Sequence, residues 1–198
     1  MSYTFQFKVF VFIFPILLCF SSVNAQTSQP SCLLAQEVFT MEHGDNINAQ
    51  SVEPFLHSLY SENDHVISFR VILTERDEKS DYFILTRKGG VLNAYSHSDA
   101  TNTLQQLNLG NQSLDLIWRT VMQNNLFTIR DEKNIQNFCP EKYRIFNSFT
   151  YEFLILSKGK MKKLSYYDPE YYDNVCYGMT ERKMVINVAA VVAYVLNK

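Results

Sequence analysis

Apolar and polar residues alternate along the segment from Val66 to Thr74. Ile67, Phe69, Val71 and Leu73 share one parity, and Ser68 and Arg70 share the other. A period of two is typical of a half-buried β-strand. The charged turn "ERDEKSD" separates this strand from a second one, "YFILTRK", and the glycines of "KGG" precede a third, "VLNAYSH". The pattern therefore predicts a three-stranded antiparallel meander.

Two later segments have apolar residues at helical spacing. One stripe is Leu114, Ile117, Trp118, Val121 and Met122, and the other is Val185, Val188, Ala189, Val192 and Leu196. Ser113 and Thr180 are the predicted N-caps of these helices. A short helix over "VEPFLHSLY", capped by Ser51, is predicted before the meander.

Between the two amphipathic helices, "FTYEFLIL", the turn "SKGK" and "MKKLSYY" predict a second hairpin. The stretch "SDATNTLQQLNLGNQ" is interpreted as a polar connection. Strands clustered in hairpins with few helices are typical of the α+β class. We predict an antiparallel sheet built from the meander and the second hairpin, covered by the amphipathic helix and the C-terminal helix. Residues 51–198 are predicted to form a single domain, preceded by a polar extension at 26–50.

Residues 1–25 have the features of a secretory signal peptide. Lys8 precedes an apolar run from Val9 to Phe20, and small residues stand at Val23 and Ala25. The run is shorter than the roughly 20 apolar residues that a membrane span requires. We predict cleavage after Ala25, a secreted or periplasmic protein, and no membrane span.

Cleavage of the predicted signal peptide leaves Cys32, Cys139 and Cys176. They predict a disulfide bond, because an exported chain meets an oxidising compartment. Cys139 and Cys176 are the predicted pair, since both flank the second hairpin. Cys32 is then left as a free thiol or as a link between chains. Pairing of Cys32 with either of the other two stays open on the sequence.

Charge and motifs argue against several function classes. The net charge is −2 at pH 7, and the run "KGKMKK" (Lys158 to Lys163) is interpreted as a solvated hairpin tip, so no nucleic-acid partner is predicted. The chain contains no G-x-S-x-G, H-E-x-x-H or C-x-x-C motif. We predict a protein that is not an enzyme and takes no cofactor.

Two His-x-Asp pairs, "HGD" at His43 and "HSD" at His97, have residue types that bind metals, but no third ligand is placed by spacing. They are interpreted as solvated turn residues, and no metal site is predicted. A thiol enzyme built on Cys32 and a histidine is the alternative from another class.

The stretch "SYYDPEYYDNVCYG" (Ser165 to Gly178) carries the predicted binding residues. They are Tyr166, Tyr167, Asp168, Glu170, Tyr171, Tyr172 and Asp173. Tyrosine combines a large contact area with little rotamer entropy and a hydrogen-bonding tip, which is why binding loops favour it. The alternative is that some of these tyrosines cover the edge of the sheet and the rest are solvated.

The layout from about Val66 to Leu196 resembles that of the emfourin-like small domains. The shared features are "RKGGVLNAY", a helix running into "NNLFTI", and a "YEFLIL…GKMKKLSYY" hairpin followed by a closing helix. Known members are compact α+β proteins that inhibit thermolysin-like metalloproteases. This chain differs in its signal peptide, its N-terminal extension and its predicted disulfide. No inhibitory residue is carried over from the resemblance.

Together these features predict a secreted, non-catalytic binding protein that contacts a protein partner through its Tyr/Asp-rich loop. An inhibitor of a secreted hydrolase is the specific form that the resemblance implies. A small secreted enzyme, with a thiol or a metal, and a structural protein of the cell envelope are the alternatives.

Overall fold

One antiparallel sheet carries the fold, in a computed structural model that describes residues 40–73, 80–135, 139–176 and 179–198. The strands are β1 (Asp45–Asn46), β2 (His65–Leu73), β3 (Tyr82–Lys88), β4 (Val91–Ser98), β5 (Thr103–Leu107), β6 (Phe149–Ser157) and β7 (Lys160–Tyr167). The helices are α1 (Pro54–Glu62), α2 (Asn111–Gln123), α3 (Pro169–Val175) and α4 (Thr180–Leu196). The predicted signal peptide and Cys32 lie outside the described residues.

The strands are ordered β1-β7-β6-β2-β3-β4-β5, and each neighbouring pair is antiparallel. The predicted α+β class and antiparallel sheet are therefore confirmed. The long β2–β6 ladder, from His65↔Ser157 to Leu73↔Phe149, joins the meander to the β6–β7 hairpin.

The segment interpreted as a polar connection contains a strand, β5, which pairs with β4 through Tyr95↔Gln106 and its neighbours. The meander thus has four strands rather than three. The first four residues of β5 are exposed, so its sequence lacks the apolar alternation that marks a half-buried strand.

The main core lies between one face of the sheet and helices α2 and α4. Buried members include the predicted stripe residues Leu114, Ile117, Trp118, Val121, Val185, Val188, Ala189 and Val192. Leu196 departs from the prediction, because it is 45% exposed at the end of α4. Of the four residues predicted to share the apolar face of β2, Ile67 and Phe69 lie in this core, whereas Val71 and Leu73 are 36% and 56% exposed.

Helix α1 covers one end of the opposite face of the sheet. Leu56 and Leu59 pack there with Val66, Ile84 and Leu156. The helix begins at Pro54, which suits a first turn because the missing N–H would have no partner there.

The three predicted N-caps are displaced. Ser51 ends a 3₁₀ turn before α1, Gly110 caps α2 ahead of Ser113, and Thr180 is the first residue inside α4. The observed helix starts differ from the predicted ones by one to a few residues. A hydroxyl side chain indicates that a helix begins nearby but does not identify the capping residue.

The outer edge of β7 is closed by backbone and by carboxylates. β1 pairs with Lys160 and Met161. Further along, Asp131 accepts the backbone N–H of Ser165 at 3.1 Å, and Glu132 accepts that of Tyr167 at 2.8 Å. These groups take up backbone positions along the edge of β7 and so protect it against pairing with another strand.

Arg182 fastens α4 to the edge of the sheet, and its side chain is fully buried. Its Nε and Nη2 donate to Glu132 Oε1 at 2.9 and 2.7 Å, and its Nη1 donates to the carbonyl of Tyr172 at 3.3 Å. The guanidinium also lies 5.2 Å from the centre of the Tyr172 ring. Arg182 therefore joins α3, α4 and the loop that carries Glu132.

Lys162 corrects the interpretation of "KGKMKK" as a solvated tip. It is 3% exposed, on the face of β7 that packs into the main core, and its Nζ donates to the carbonyl of Phe127 at 3.0 Å. Burial lowers the pKa of Lys162 to about 8, and the charge of Glu42 opposes this only partly.

Lys162 is expected to make the protein more stable as the pH rises above 8. The folded chain releases this proton near pH 8, whereas the unfolded chain holds it to 10.5, so the unfolded state binds more protons in between. Over the full interval between these two pKa values, the free energy of unfolding rises by about 3 kcal/mol. Urea unfolding at about pH 7.5 and about pH 9.5 measures the rise.

The matched variant for this experiment is Lys162→Met, which keeps an apolar stem and removes the titrating group. It should lose most of the pH-dependent gain. A wild-type free energy of unfolding that stays flat or falls over this range would show that Lys162 keeps its charge in the folded state.

Candidate functional site

The tyrosine-rich stretch forms the end of β7, a sharp turn and helix α3. Asp168 has a φ of +37° and caps α3, with its Oδ1 accepting the N–H of Tyr171 at 3.2 Å. Ser148 donates its hydroxyl to the other carboxylate oxygen. The strand ends at Tyr167, and the helix that begins at Pro169 was not predicted. An aspartate followed by proline at the first helical position is the signal that could have found it.

Three of the seven predicted binding residues are buried. Tyr166 is fully buried and donates its hydroxyl to the carbonyl of Arg130, and burial raises the pKa of its phenol. Tyr172 and Asp168 are 8% and 9% exposed. These three side chains hold the local structure together and present almost no surface to a partner.

The other four predicted residues, Tyr167, Glu170, Tyr171 and Asp173, are half-buried. Glu170 accepts a hydrogen bond from Tyr151 at 2.6 Å, which ties α3 to β6. Burial and this hydrogen bond both raise the pKa of Tyr151. The faces of Tyr171 and Asp173 are therefore presented on a helix that is fixed to the sheet.

The predicted disulfide between Cys139 and Cys176 is present, with a Cα–Cα distance of 5.1 Å. It joins the C-terminal end of α3 to residues 139–148, which we call the anchored loop. The N–H of Ile145 donates to Tyr172 Oη at 3.3 Å, and the N–H of Ser148 donates to Tyr167 Oη at 3.0 Å. The tyrosine-rich stretch thus holds a second segment in place at several points.

Phe146 lies in this anchored loop and is 72% exposed, more than any other large hydrophobic side chain that the structure describes. The guanidinium of Arg144 lies 5.5 Å from the centre of its ring. Asn147 follows with a φ of +61°, a left-handed conformation that asparagine tolerates better than most residues. An aromatic ring beside an arginine, on a fastened loop, is the arrangement typical of an interaction surface.

Sequence reasoning did not single out Phe146 or Arg144. The stretch "YRIFNS" has no periodicity, and a phenylalanine is buried far more often than it is exposed. The only available signal was its position between Cys139 and the strand that leads to the tyrosines.

The histidines of the two His-x-Asp pairs lie in different surroundings. His43 is exposed, whereas His97 is 3% exposed and stacks on Phe55 with ring centres 3.7 Å apart. The interpretation of His97 as a solvated turn residue is therefore wrong, because it lies in β4 beneath α1. Its Nδ1 lies 3.4 Å from Asp99. Within residues 40–73, 80–135, 139–176 and 179–198, no group of three or more His, Cys, Asp or Glu side chains is placed to hold a metal ion.

A groove of about 760 Å³ lies where β2 and β3 meet the end of α4. Its apolar lining includes Phe69, Val71, Leu73, Phe83, Val192 and Leu196. Arg70 also lines it, and this guanidinium is engaged by Glu152 at 2.6 Å and by the hydroxyl of Tyr82. Burial raises the pKa of Tyr82 to about 12 against the opposing charge of Arg70. The groove offers apolar surface, and its arginine is already paired.

Comparisons with protein-family models, with curated proteins and with solved structures find no match to this chain. In the part of the chain that the structure describes, no helix is long and apolar enough to cross a bilayer. The geometry of the anchored loop and α3 is therefore the main basis for a functional proposal.

Proposed function

We propose that this chain is a secreted, non-catalytic binding protein whose contact surface is the anchored loop together with the outer side of α3. The observation that carries the proposal is Phe146, which is 72% exposed on a loop that a disulfide and tyrosine hydrogen bonds hold in place. Full burial of an exposed phenylalanine by a partner contributes about 1.5–3 kcal/mol of favourable transfer free energy to binding.

The fastening of the anchored loop supports a binding role energetically. When a partner binds a flexible loop, each side chain that becomes immobilised costs about 0.5–1.5 kcal/mol of binding free energy. Here Ile145 and Ser148 are already hydrogen-bonded to the two tyrosines, so much of that ordering has occurred before a partner arrives. Folding thus fixes the backbone on both sides of Phe146.

The two segments of the proposed contact surface carry charged residues of both signs. Lys142 and Arg144 are exposed on the anchored loop, and the half-buried Glu170 and Asp173 lie on α3. Interfaces commonly place an aromatic or arginine anchor at the centre and charged groups around it. The predicted Tyr/Asp-rich surface is thus retained in part, with Phe146 added and Tyr166, Asp168 and Tyr172 assigned to support.

A secreted hydrolase is the partner class that we place first. The signal peptide predicted from the sequence would bring the chain to such enzymes. The resemblance to emfourin-like domains, whose known members inhibit thermolysin-like metalloproteases, points to inhibition. A small enzyme or an envelope structural protein is the competing function, and the experiment below separates these from a binder.

Replacing Phe146 by serine is expected to weaken partner binding by roughly 30-fold or more while leaving the fold intact. The oxidised chain 26–198 is titrated into secreted hydrolases, beginning with a thermolysin-like metalloprotease, and residual activity is measured. The matched control is Val91→Ser, because Val91 is 64% exposed at the start of β4, outside the proposed surface. Thermal unfolding of all three chains checks the fold.

Inhibition by the wild type and by Val91→Ser, lost in Phe146→Ser, supports the proposal. Equal inhibition by all three chains would refute the anchored loop as the contact surface. If the purified chain itself cleaves a substrate, or if no hydrolase is inhibited by any of the three, the inhibitor form of the proposal fails.

A further inference from the structure

The strand β5 ends the sheet on the side away from the anchored loop. Thr103, Leu104, Gln105 and Gln106 are exposed, and Leu107 is half-buried. Among the strands that the structure describes, β5 pairs with β4, and none of them lies on its other side. Its outward backbone groups form a ladder that another strand could complete.

The two sides of this sheet differ in the groups that cover their outermost backbone positions. At β7, a short strand and the carboxylates of Asp131 and Glu132 occupy the edge. At β5, five consecutive pairs with β4 run without a bulge. Natural sheets usually protect an exposed edge with charges, proline or a bulge, because an open ladder recruits other strands.

The sequence around β5 lacks the usual protecting residues. From Ala100 to Ser113 there is neither a charged residue nor a proline, and the nearest charges are Asp99 and Asp115. The strand itself reads Thr-Leu-Gln-Gln-Leu. An uncharged edge can meet an identical edge without placing like charges opposite each other.

We propose that β5 pairs antiparallel with β5 of a second copy, so that one sheet runs through both copies about a two-fold axis at Gln105. A two-fold axis at the middle of the strand places Gln105 opposite Gln105 of the second copy. In an antiparallel pair the side chains of opposite residues lie on the same face of the sheet, so both Gln105 side chains share a face. Leu104 then faces Gln106, and Thr103 faces Leu107. This register uses all five residues of the strand.

Pairing would also cover surface that is now exposed. Leu104 is 42% exposed, and Gln106, on the same face, donates to Asn93 at 3.3 Å. In the dimer Leu104 gains the Gln106 amide of the second copy directly opposite it and the second Leu104 as a diagonal neighbour. A second copy fits better than a charged peptide, because this edge offers no opposite charge to attract one.

The dimer would leave both anchored loops free. Strands β2, β3 and β4 separate β5 from the β6–β7 hairpin, next to which the anchored loop lies. Two copies would therefore present two contact surfaces, and a partner with two sites would be held more tightly than by one copy. The pairing itself stands independently of the proposed inhibition.

Sedimentation equilibrium of the oxidised chain 26–198 tests the pairing. All chains carry Cys32→Ser, so that a disulfide between copies cannot produce a dimer. Gln105→Lys and Gln105→Glu each place like charges opposite each other across the axis, and each should shift the monomer–dimer equilibrium toward monomer by about tenfold or more. Gln50→Lys is the matched control, since Gln50 is exposed on the 3₁₀ turn before α1.

An equal mixture of the lysine and glutamate variants should restore dimers, because the two charges now attract. Amide hydrogen exchange in β5 should slow with rising concentration in the wild type. A wild type that stays monomeric at about 100 μM, a Gln105→Lys variant that dimerises as well as the control, or a mixture without rescue would overturn the proposal. A dimer that disappears when residues 26–39 are removed would assign the contact to that segment instead.

Discussion

Replacing Arg182 by methionine is expected to lower the free energy of unfolding by about 3–5 kcal/mol and Tm by roughly 10 °C. The guanidinium is fully buried and donates twice to Glu132, whose side chain is only 15% exposed. Without the arginine, that carboxylate stays desolvated and keeps only the N–H of Tyr167 as a partner. Urea unfolding at neutral pH measures the loss.

Two comparisons decide whether the buried charge is the cause. Adding Glu132→Gln to Arg182→Met removes the unpaired charge and should recover part of the loss, since the amide can still accept from Tyr167. The matched surface pair is Arg130 with Glu181, at 3.2 Å and with an arginine side chain 49% exposed. Arg130→Met should cost about 1 kcal/mol or less. Similar losses for Arg182→Met and Arg130→Met would show that burial does not set the contribution.

The sequence predicted those parts of the fold in which one residue pattern dominates. The buried stripes of α2 and α4 follow from helical spacing, because each helix buries one face. The period-two pattern predicts the strand β2, although its first five residues are buried on both faces of the sheet. β5 was missed because an edge strand with exposed side chains has no apolar face to reveal it. Helix α3 was missed because Tyr172 and the neighbouring acids resemble a binding loop until the cap at Asp168 is seen.

The candidate site depended more on tertiary structure than the fold did. A charged residue on a helix or hairpin is normally solvated, so nothing in the sequence marked Arg182 or Lys162 as buried. Conversely, the exposed Phe146 lies in a segment that the disulfide and Tyr172 hold to α3, a tie that the sequence around Phe146 does not reveal. The cysteine pair was predictable from its flanking position, but the surface that it creates was not.

Replacing Cys139 and Cys176 together by alanine is expected to lower the free energy of unfolding by about 4 kcal/mol. The two cysteines are 37 residues apart, and opening a loop of that length restores conformational entropy to the unfolded chain. The double change avoids an unpaired thiol, and alanine adds no polar group at Cys176, which is 7% exposed. Urea unfolding of the oxidised wild type and of the variant gives the difference, and a loss below about 1 kcal/mol would contradict this expectation.

The same variant connects stability to the proposed binding role. At low temperature, where it remains folded, the anchored loop keeps its hydrogen bonds to Tyr167 and Tyr172 but loses its covalent tie to α3. A partner would then have to order this segment, so its affinity should fall although Phe146 is still present. Phe146→Ser should separate the two effects, because it weakens binding and leaves the free energy of unfolding unchanged. If the disulfide variant binds as tightly as the wild type, the rigidity of the anchored loop contributes nothing to recognition, and only the exposed ring remains as its basis.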